Sequence, residues 1–442
     1  MHLIRIHLVV MMILAFYQKF FLNEQLPFVP RRQYARLLNG VCLFGRVRIL
    51  MSMFLMLLTL SGCAHQKFVS EPYPRWGDES SVSQSGGNVP LILRTLVPSE
   101  PAKAPACVLL VHGMNEHIGR YGEVAHYFSR QFFVAGFDFY AHGLSNPVLQ
   151  RADQALAAGA GRQEVSDAFL AQSLLHDLEP LRRTLDLALR QTIALCDAQS
   201  DSKRPVFIVS HSLGALVAAS YLLQVRNEDD PAKRVRGIVF LAPAFAVSEP
   251  PGWRGWVANP LIKLSFHAET HFLHPQNEPL PLLLFNQLFS LITVPLLDGL
   301  FEVFSWPGLR SFMTPVSPAW VTDYLTDSEA EKARLRADNW IVRRSLLRYV
   351  KGIEEEVVRF RRKMDQFTIP YYLVYSEDDP ITPAWGNADF SRATLKNHSD
   401  SEVLTLPNLP YHQHLFLKEP ARTELLMKIE KWMDFRLRSL EY

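Results

Sequence analysis

The 442-residue sequence is poor in most features that would assign it to a special class. Its four cysteines, Cys42, Cys63, Cys107 and Cys196, lack the close paired spacings of zinc ribbons or dithiol motifs, so neither metal nor redox chemistry is suggested. Charge of one sign is missing as well. Lys and Arg number 46 against 44 Asp and Glu, and a net charge of +2 gives no reason to expect nucleic acid or a polybasic contact with a membrane. There are no internal repeats and no coiled-coil heptads. The apolar run of about a dozen residues before Cys63 falls short of the roughly 20 that a membrane-spanning helix needs. What is present is 48% hydrophobic and 11% aromatic residues, ample for a large core, in a chain long enough for one elaborated domain.

The first part of the chain reads as an address. "RVRILMSMFLMLLTLSGCAHQ", Arg46 to Gln66, is two arginines, a short apolar run and then Leu60-Ser61-Gly62-Cys63. It resembles a bacterial lipoprotein signal with its lipobox, which implies a thioether-linked diacylglycerol on Cys63. Two or three acyl chains anchor a protein stably where one does not. Ala64 after the cysteine resembles the pattern of lipoproteins sent to the outer membrane, so the expected location is the bacterial cell envelope, lipid-anchored and facing the periplasm. The competing reading of the run is an uncleaved signal anchor or a buried apolar segment. Residues 1–63 are thus an upstream extension plus signal peptide, and a start at Val47 would give a short basic region followed at once by the apolar run. Residues 64–88 are polar, rich in Ser, Gly and Pro and without period, and predict a flexible tether.

From residue 89 short β-rich apolar runs alternate with helical patterns, which predicts a mostly parallel sheet covered by helices. The expected strands are "LILRTLV", "ACVLLVHG", "FFVAGFDF", "PVFIVS", "VRGIVFLAP", "IPYYLVYSEDD" and "EVLTLP". Helices are expected near 121–130, over 166–192, from Leu213 and over 415–438. The core is read as 89–247 and 321–442, interrupted by an insertion over 248–320. Cys107 starts one strand and Cys196 precedes its expected neighbour, so the two would lie close at the bottom of the sheet, where a periplasmic disulfide could form.

"FIVSHSLGALVAA", Phe207 to Ala219, carries the chemistry. A strand apolar on both faces runs into a good helix with Ser212 at the junction, similar to the G-x-S-x-G elbow that presents a catalytic serine. Ser210 replaces the first glycine but is still small, and Gly214 supplies the second. On its own S-x-S-x-G is common. Together with "HGMNEHIGRY" from His112 and "FDFYAHGLS" ending at Ser145, it resembles the monoacylglycerol lipase, lysophospholipase and serine-aminopeptidase-like branch of the α/β-hydrolases. The patterns of that branch are H-G-x-x-E-H-x-x-R-Y, G-H-G-x-S and G-H-S-x-G. The resemblance covers residues 90–247 and 320–435, and departs from the glycine pattern at Ala141 and Ser210.

The resemblance implies an α/β-hydrolase fold with an inserted helical cap and a triad in the chain order Ser, Asp, His. Asp379-Pro380-Ile381 matches the acid motif, with Asp378 behind it. The base is His412, which fits the Y-H at the loop tip and lies 20 residues before Trp432, or His414, five residues before Glu419; His412 is favoured. Ser212 would attack an ester carbonyl, the backbone N–H groups of Met114 and Leu213 would hold the oxyanion, and no metal or organic cofactor is required. His112, His117 and His142 are read as buttresses of loops. In the cap, Leu280 to Trp306 is strongly apolar, although Pro281, Asn286, Pro295 and Asp298 argue against a membrane span. It is either the cap's own core or an acyl-chain tunnel or lipid-resting face. The implied activity is hydrolysis of esters with an apolar acyl group, of monoacylglycerol or lysophospholipid type. A peptidase or amidase of the same branch and a non-catalytic envelope lipoprotein are the alternatives.

Overall fold

The computed structural model describes residues 76–82, 91–146, 149–151, 154–155, 158–159, 175, 177–200, 202–224, 230–246, 325–326, 328–338, 340–342, 347–379, 381–398, 400–406 and 421–438. The chain divides into two units, Met1–Gly62 and Cys63–Tyr442, and every described residue belongs to the second. The signal peptide with Cys63, the cap over 248–320 and both candidate histidines, His412 and His414, lie outside the described residues.

Among the described residues eight strands form one sheet in the order β1-β2-β4-β3-β5-β6-β7-β8. They are β1 Asp78–Val82, β2 Leu91–Leu96, β3 Cys107–Val111, β4 Phe133–Phe137, β5 Val206–His211, β6 Val235–Leu241, β7 Tyr371–Ser376 and β8 Glu402–Leu406. The pairings of β2 with β1 and β4 are antiparallel, and all others are parallel. The α-helices between them are α1 Gly122–Phe128, α2 Glu179–Asp197, α3 Ser212–Leu222, α4 Glu329–Ala337, α5 Leu347–Arg361, α6 Ala384–Thr394 and α7 Ala421–Arg438.

The period of two explains the layering. Cys107, Leu109 and Val111 of β3 and Val206 and Ile208 of β5 face the side covered by α2, α3, α5 and α6, while Val108, Leu110, Phe207 and Val209 face α1 and α7. Strands buried on both faces must be apolar throughout, which is why "CVLLV" and "VFIV" read as continuous runs. Helix α3 is apolar on nearly every side and is buried from Ser212 to Ser220, so it sits inside the molecule against the sheet's centre. Cys107 and Cys196, both fully buried, form a disulfide between the start of β3 and the end of α2.

The mostly parallel sheet flanked by helices is the α/β-hydrolase fold expected from the sequence. The tether over 64–88 needs correction. Trp76 is buried and its indole Nε1 donates to the Ile118 carbonyl at 3.0 Å, and Asp78–Val82 pairs antiparallel with β2 as an edge strand. "DESSV" shows no apolar alternation because four of its five residues are exposed; an edge strand is held by backbone pairing, which needs no apolar face. Helix α2 begins at Glu179.

Candidate active site

Four residues other than glycine have positive φ among the described residues: Asn115 (61°), Ala141 (64°), Ser212 (51°) and Ala242 (43°). They follow β3, β4, β5 and β6, four neighbours in the sheet, and therefore cluster on its carboxyl edge. Left-handed backbone at a residue bearing a Cβ costs about 1–2 kcal/mol, and such strain gathers where loops are fixed for a task. Ser212 is where β5 turns sharply into α3.

The elbow requires close approach. A Cβ built at Gly214 would lie 2.1 Å from the His112 carbonyl oxygen, so this position must be glycine for α3 to meet the end of β3. At Gly113 a Cβ would fall 3.0 Å from that of Ser212 and 2.7 Å from Glu116 Oε1, which puts the loop after β3 directly against the serine. Ser210, where the family pattern has glycine, is fully buried, and its hydroxyl donates to the Val239 carbonyl of β6 at 2.9 Å. The extra oxygen is thereby satisfied, and serine is accommodated there.

Glu116 is the electrostatic centre of this edge and was not singled out from the sequence. Its Oε1 accepts from Gly113 N at 2.5 Å, His211 Nδ1 at 2.8 Å and Tyr121 OH at 2.9 Å, while Oε2 is paired with Arg120. Burial opposes its ionisation, but Arg120 and then His211 outweigh that and hold the carboxyl well below the usual carboxylate range. One carboxylate thus ties the loop after β3 to the residue preceding Ser212. The E-H-x-x-R-Y spacing was the available signal, since it brings Glu116, Arg120 and Tyr121 together over a tight turn.

The histidines around it are structural. His112 Nδ1 donates to the Gly113 carbonyl at 2.8 Å and its Nε2 accepts from Phe139 N at 3.0 Å, so the ring is neutral. Burial, reinforced by nearby His142, lowers its pKa to about 3. His142 Nδ1 donates to the Tyr140 carbonyl at 2.9 Å, and burial lowers its pKa to about 4. His117 differs: burial opposes its charge, yet Asp338, with Oδ2 at 2.8 Å from Nε2, raises its pKa.

Asp379 follows β7 on the same carboxyl edge and is buried, whereas Glu377 and Asp378 are exposed. Its Oδ1 accepts from Ile381 N at 2.8 Å and Thr382 N at 3.0 Å, and Oδ2 accepts from Thr382 Oγ1 at 2.8 Å, which fixes the carboxylate's orientation. Since β7 is two strands from β5, roughly 10 Å separates the two strand ends. Met114 is half-buried in the loop after β3, and Leu213 is buried in the first turn of α3, where backbone N–H groups have no intrahelical partner. The structure therefore brings Ser212, Leu213, Met114 and Asp379 to one edge. Among the described residues no group of three or more His, Cys, Asp or Glu could hold a metal ion, and no helix is long and apolar enough to cross a membrane.

Comparison with known proteins adds to this geometry. The family profile described as "Serine aminopeptidase, S33" matches residues 102–420. Similar solved structures include the Saccharomyces cerevisiae monoglyceride lipase, crystallised as a soluble variant with a substrate analogue (14% identity, 84% of this chain and 98% of that one, TM-score 0.56). The Paleococcus ferrophilus monoacylglycerol lipase is 16% identical over 78% of this chain and 99% of its own, with a TM-score of 0.51. A thermostable carboxyl esterase from Bacillus coagulans, in complex with glycerol, is 14% identical over 82% and 100%, with a TM-score of 0.50. At such identities these likenesses speak to the fold. No functionally curated protein matches the chain.

Proposed function

The chain belongs to the serine aminopeptidase S33 family of α/β-hydrolases, and on that premise we propose that it is a lipid-anchored serine esterase. Its substrates are carboxylic esters with an apolar acyl group, of monoacylglycerol or lysophospholipid type. The observation that carries this reading is Ser212 at φ 51° between a central strand and a buried helix, with Gly113 packed against it. Asp379, locked by three donors, stands on the same edge.

In the reaction Ser212 Oγ attacks the ester carbonyl carbon while His412 takes its proton. Asp379 fixes the imidazole's tautomer and stabilises its cation. Two hydrogen bonds of about 2.8 Å on either side of an imidazole suit the spacing between the ends of β5 and β7. The Met114 and Leu213 amides hold the oxyanion, the latter helped by the positive end of α3. Collapse of the tetrahedral intermediate breaks the ester C–O bond, and the proton passes from His412 to the leaving alcohol. Water then hydrolyses the acyl-enzyme by the same steps.

The family's description favours a second reading, an aminopeptidase. Such an enzyme needs an acidic group for the substrate's free ammonium. Among the described residues the buried carboxylates of this edge, Glu116, Asp138, Asp338 and Asp379, are each engaged by donors of the protein itself, which supports the ester reading. Lipidation at Cys63 and a periplasmic face are supported by the lipobox and by the Cys107–Cys196 disulfide, a bond of oxidising compartments.

A fluorophosphonate probe should label the purified protein and not Ser212→Ala. Acylglycerols and lysolipids should turn over where aminoacyl anilides do not. Labelling that survives Ser212→Ala, or turnover confined to the anilides, overturns the ester reading. Cys63→Ser should abolish incorporation of labelled palmitate.

A further inference from the structure

The loop from Gly113 to His117 is held from two sides. On the elbow side stands the Glu116 carboxylate. On the other side lies the first described segment after residues 247–324. There, beyond α4, Asp338 is buried, and its Oδ2 meets His117 Nε2 at 2.8 Å while Oδ1 accepts from Trp340 N at 2.9 Å. Two residues on, Val342 N donates to the Asn115 carbonyl at 2.8 Å. Trp340 and Val342 also pack with Leu149 as a small apolar cluster, so the segment has its own seat. Asn115, adjacent to Met114, is the residue held at φ 61°. Left-handed backbone at a residue with a Cβ persists only where its surroundings over-determine it, and the Val342 amide is one such restraint.

We propose that Asp338 and the segment through Val342 form a strap that positions the Met114 amide for catalysis, with Asp338 acting through His117 and Val342 through Asn115. The strap follows α4 directly. This rests on the ester-hydrolase reading above. A misplacement of about 1 Å in a group that meets the transition state can cost on the order of a hundredfold in rate with little effect on ground-state binding.

The test uses the full chain with p-nitrophenyl butyrate, comparing wild type, Ser212→Ala, Asp338→Asn, His117→Gln and the Asp338→Asn/His117→Gln double variant. The expected result is a fall in kcat of about ten- to a hundredfold in each single variant, with KM within about twofold. The double variant should lose no more than the worse single one, because the two side chains act as a unit. Folding is checked by thermal melts, and His117→Gln decides if Asp338→Asn does not fold. An unchanged kcat, a change in KM alone, fully additive losses or failure of both single variants to fold overturns the strap. If the wild type shows no turnover that depends on Ser212, it is the underlying reading that fails.

Discussion

Replacing Glu116 by glutamine changes one atom and tests whether this carboxylate holds the site together. If the amide oxygen stays in the Oε1 position it still accepts from Gly113 N, His211 Nδ1 and Tyr121 OH, but the new NH2 then faces the Arg120 guanidinium, donor against donor. Both side chains are about 95% buried. Removing one partner of such a pair costs roughly 3–5 kcal/mol. The flipped amide is worse, because three donors would then face NH2 at about 1–3 kcal/mol each. The first arrangement wins, and Glu331, 3.9 Å from Arg120, relieves part of the stranded charge. The expected loss is therefore near 3 kcal/mol, a large share of a total stability of about 5–15 kcal/mol. The amide oxygen still accepts from Gly113 N, but without the carboxylate's charge the loop beside Met114 is held less tightly, and kcat should fall by about ten- to a hundredfold. Urea unfolding and ester turnover measure the two effects. A change below about 1 kcal/mol together with wild-type kcat would refute this account of Glu116.

Ala141→Gly should stabilise the protein by about 0.5–1 kcal/mol: relief of left-handed strain at φ 64° is worth about 1–2 kcal/mol and the more flexible unfolded chain takes back about 0.4–1, so a lower Tm by calorimetry counts against it. Acid should destabilise the fold between about pH 6.5 and pH 4. His112 and His142 stay neutral when folded down to about 3 and 4, but bind protons when unfolded below 6.5. Their contribution is fully present above 6.5 and declines with falling pH by at most about 2.7 kcal/mol per unit. His117, whose pKa is raised, is charged in both states once the pH is well below 6.5 and adds no slope there, opposing the trend only near 6.5; flat urea midpoints across that range would contradict the burial of these rings. The double variant Cys107→Ala/Cys196→Ala should lose about 2–5 kcal/mol, since the disulfide closes a loop of 89 residues. Equal melting of the two proteins would show that the bond contributes nothing.

The parallel core was legible because strands buried on both faces must be written in apolar residues, and β3, β5, β6 and β7 each stand out as such a run. The edge strand β1 was missed because exposure on an outer edge removes that requirement. "SGGN", between β1 and β2, was a hairpin signal that could have located it. Ser212 was readable because an elbow needs small residues at fixed offsets, although its backbone angle was not. Glu116 and Asp338 stayed hidden for different reasons. The first lies inside a motif whose other members drew attention, and the second is brought to His117 from 221 residues away, a separation no local pattern encodes.

The left-handed residues after β3, β4, β5 and β6 stand in adjacent rows, and at about 1–2 kcal/mol each they hold roughly 4–8 kcal/mol in all, comparable with the margin by which many domains stay folded. Among the described residues that tension lies along one rim, so a bare backbone trace, stripped of every side chain, would still point to the edge proposed here as the active one.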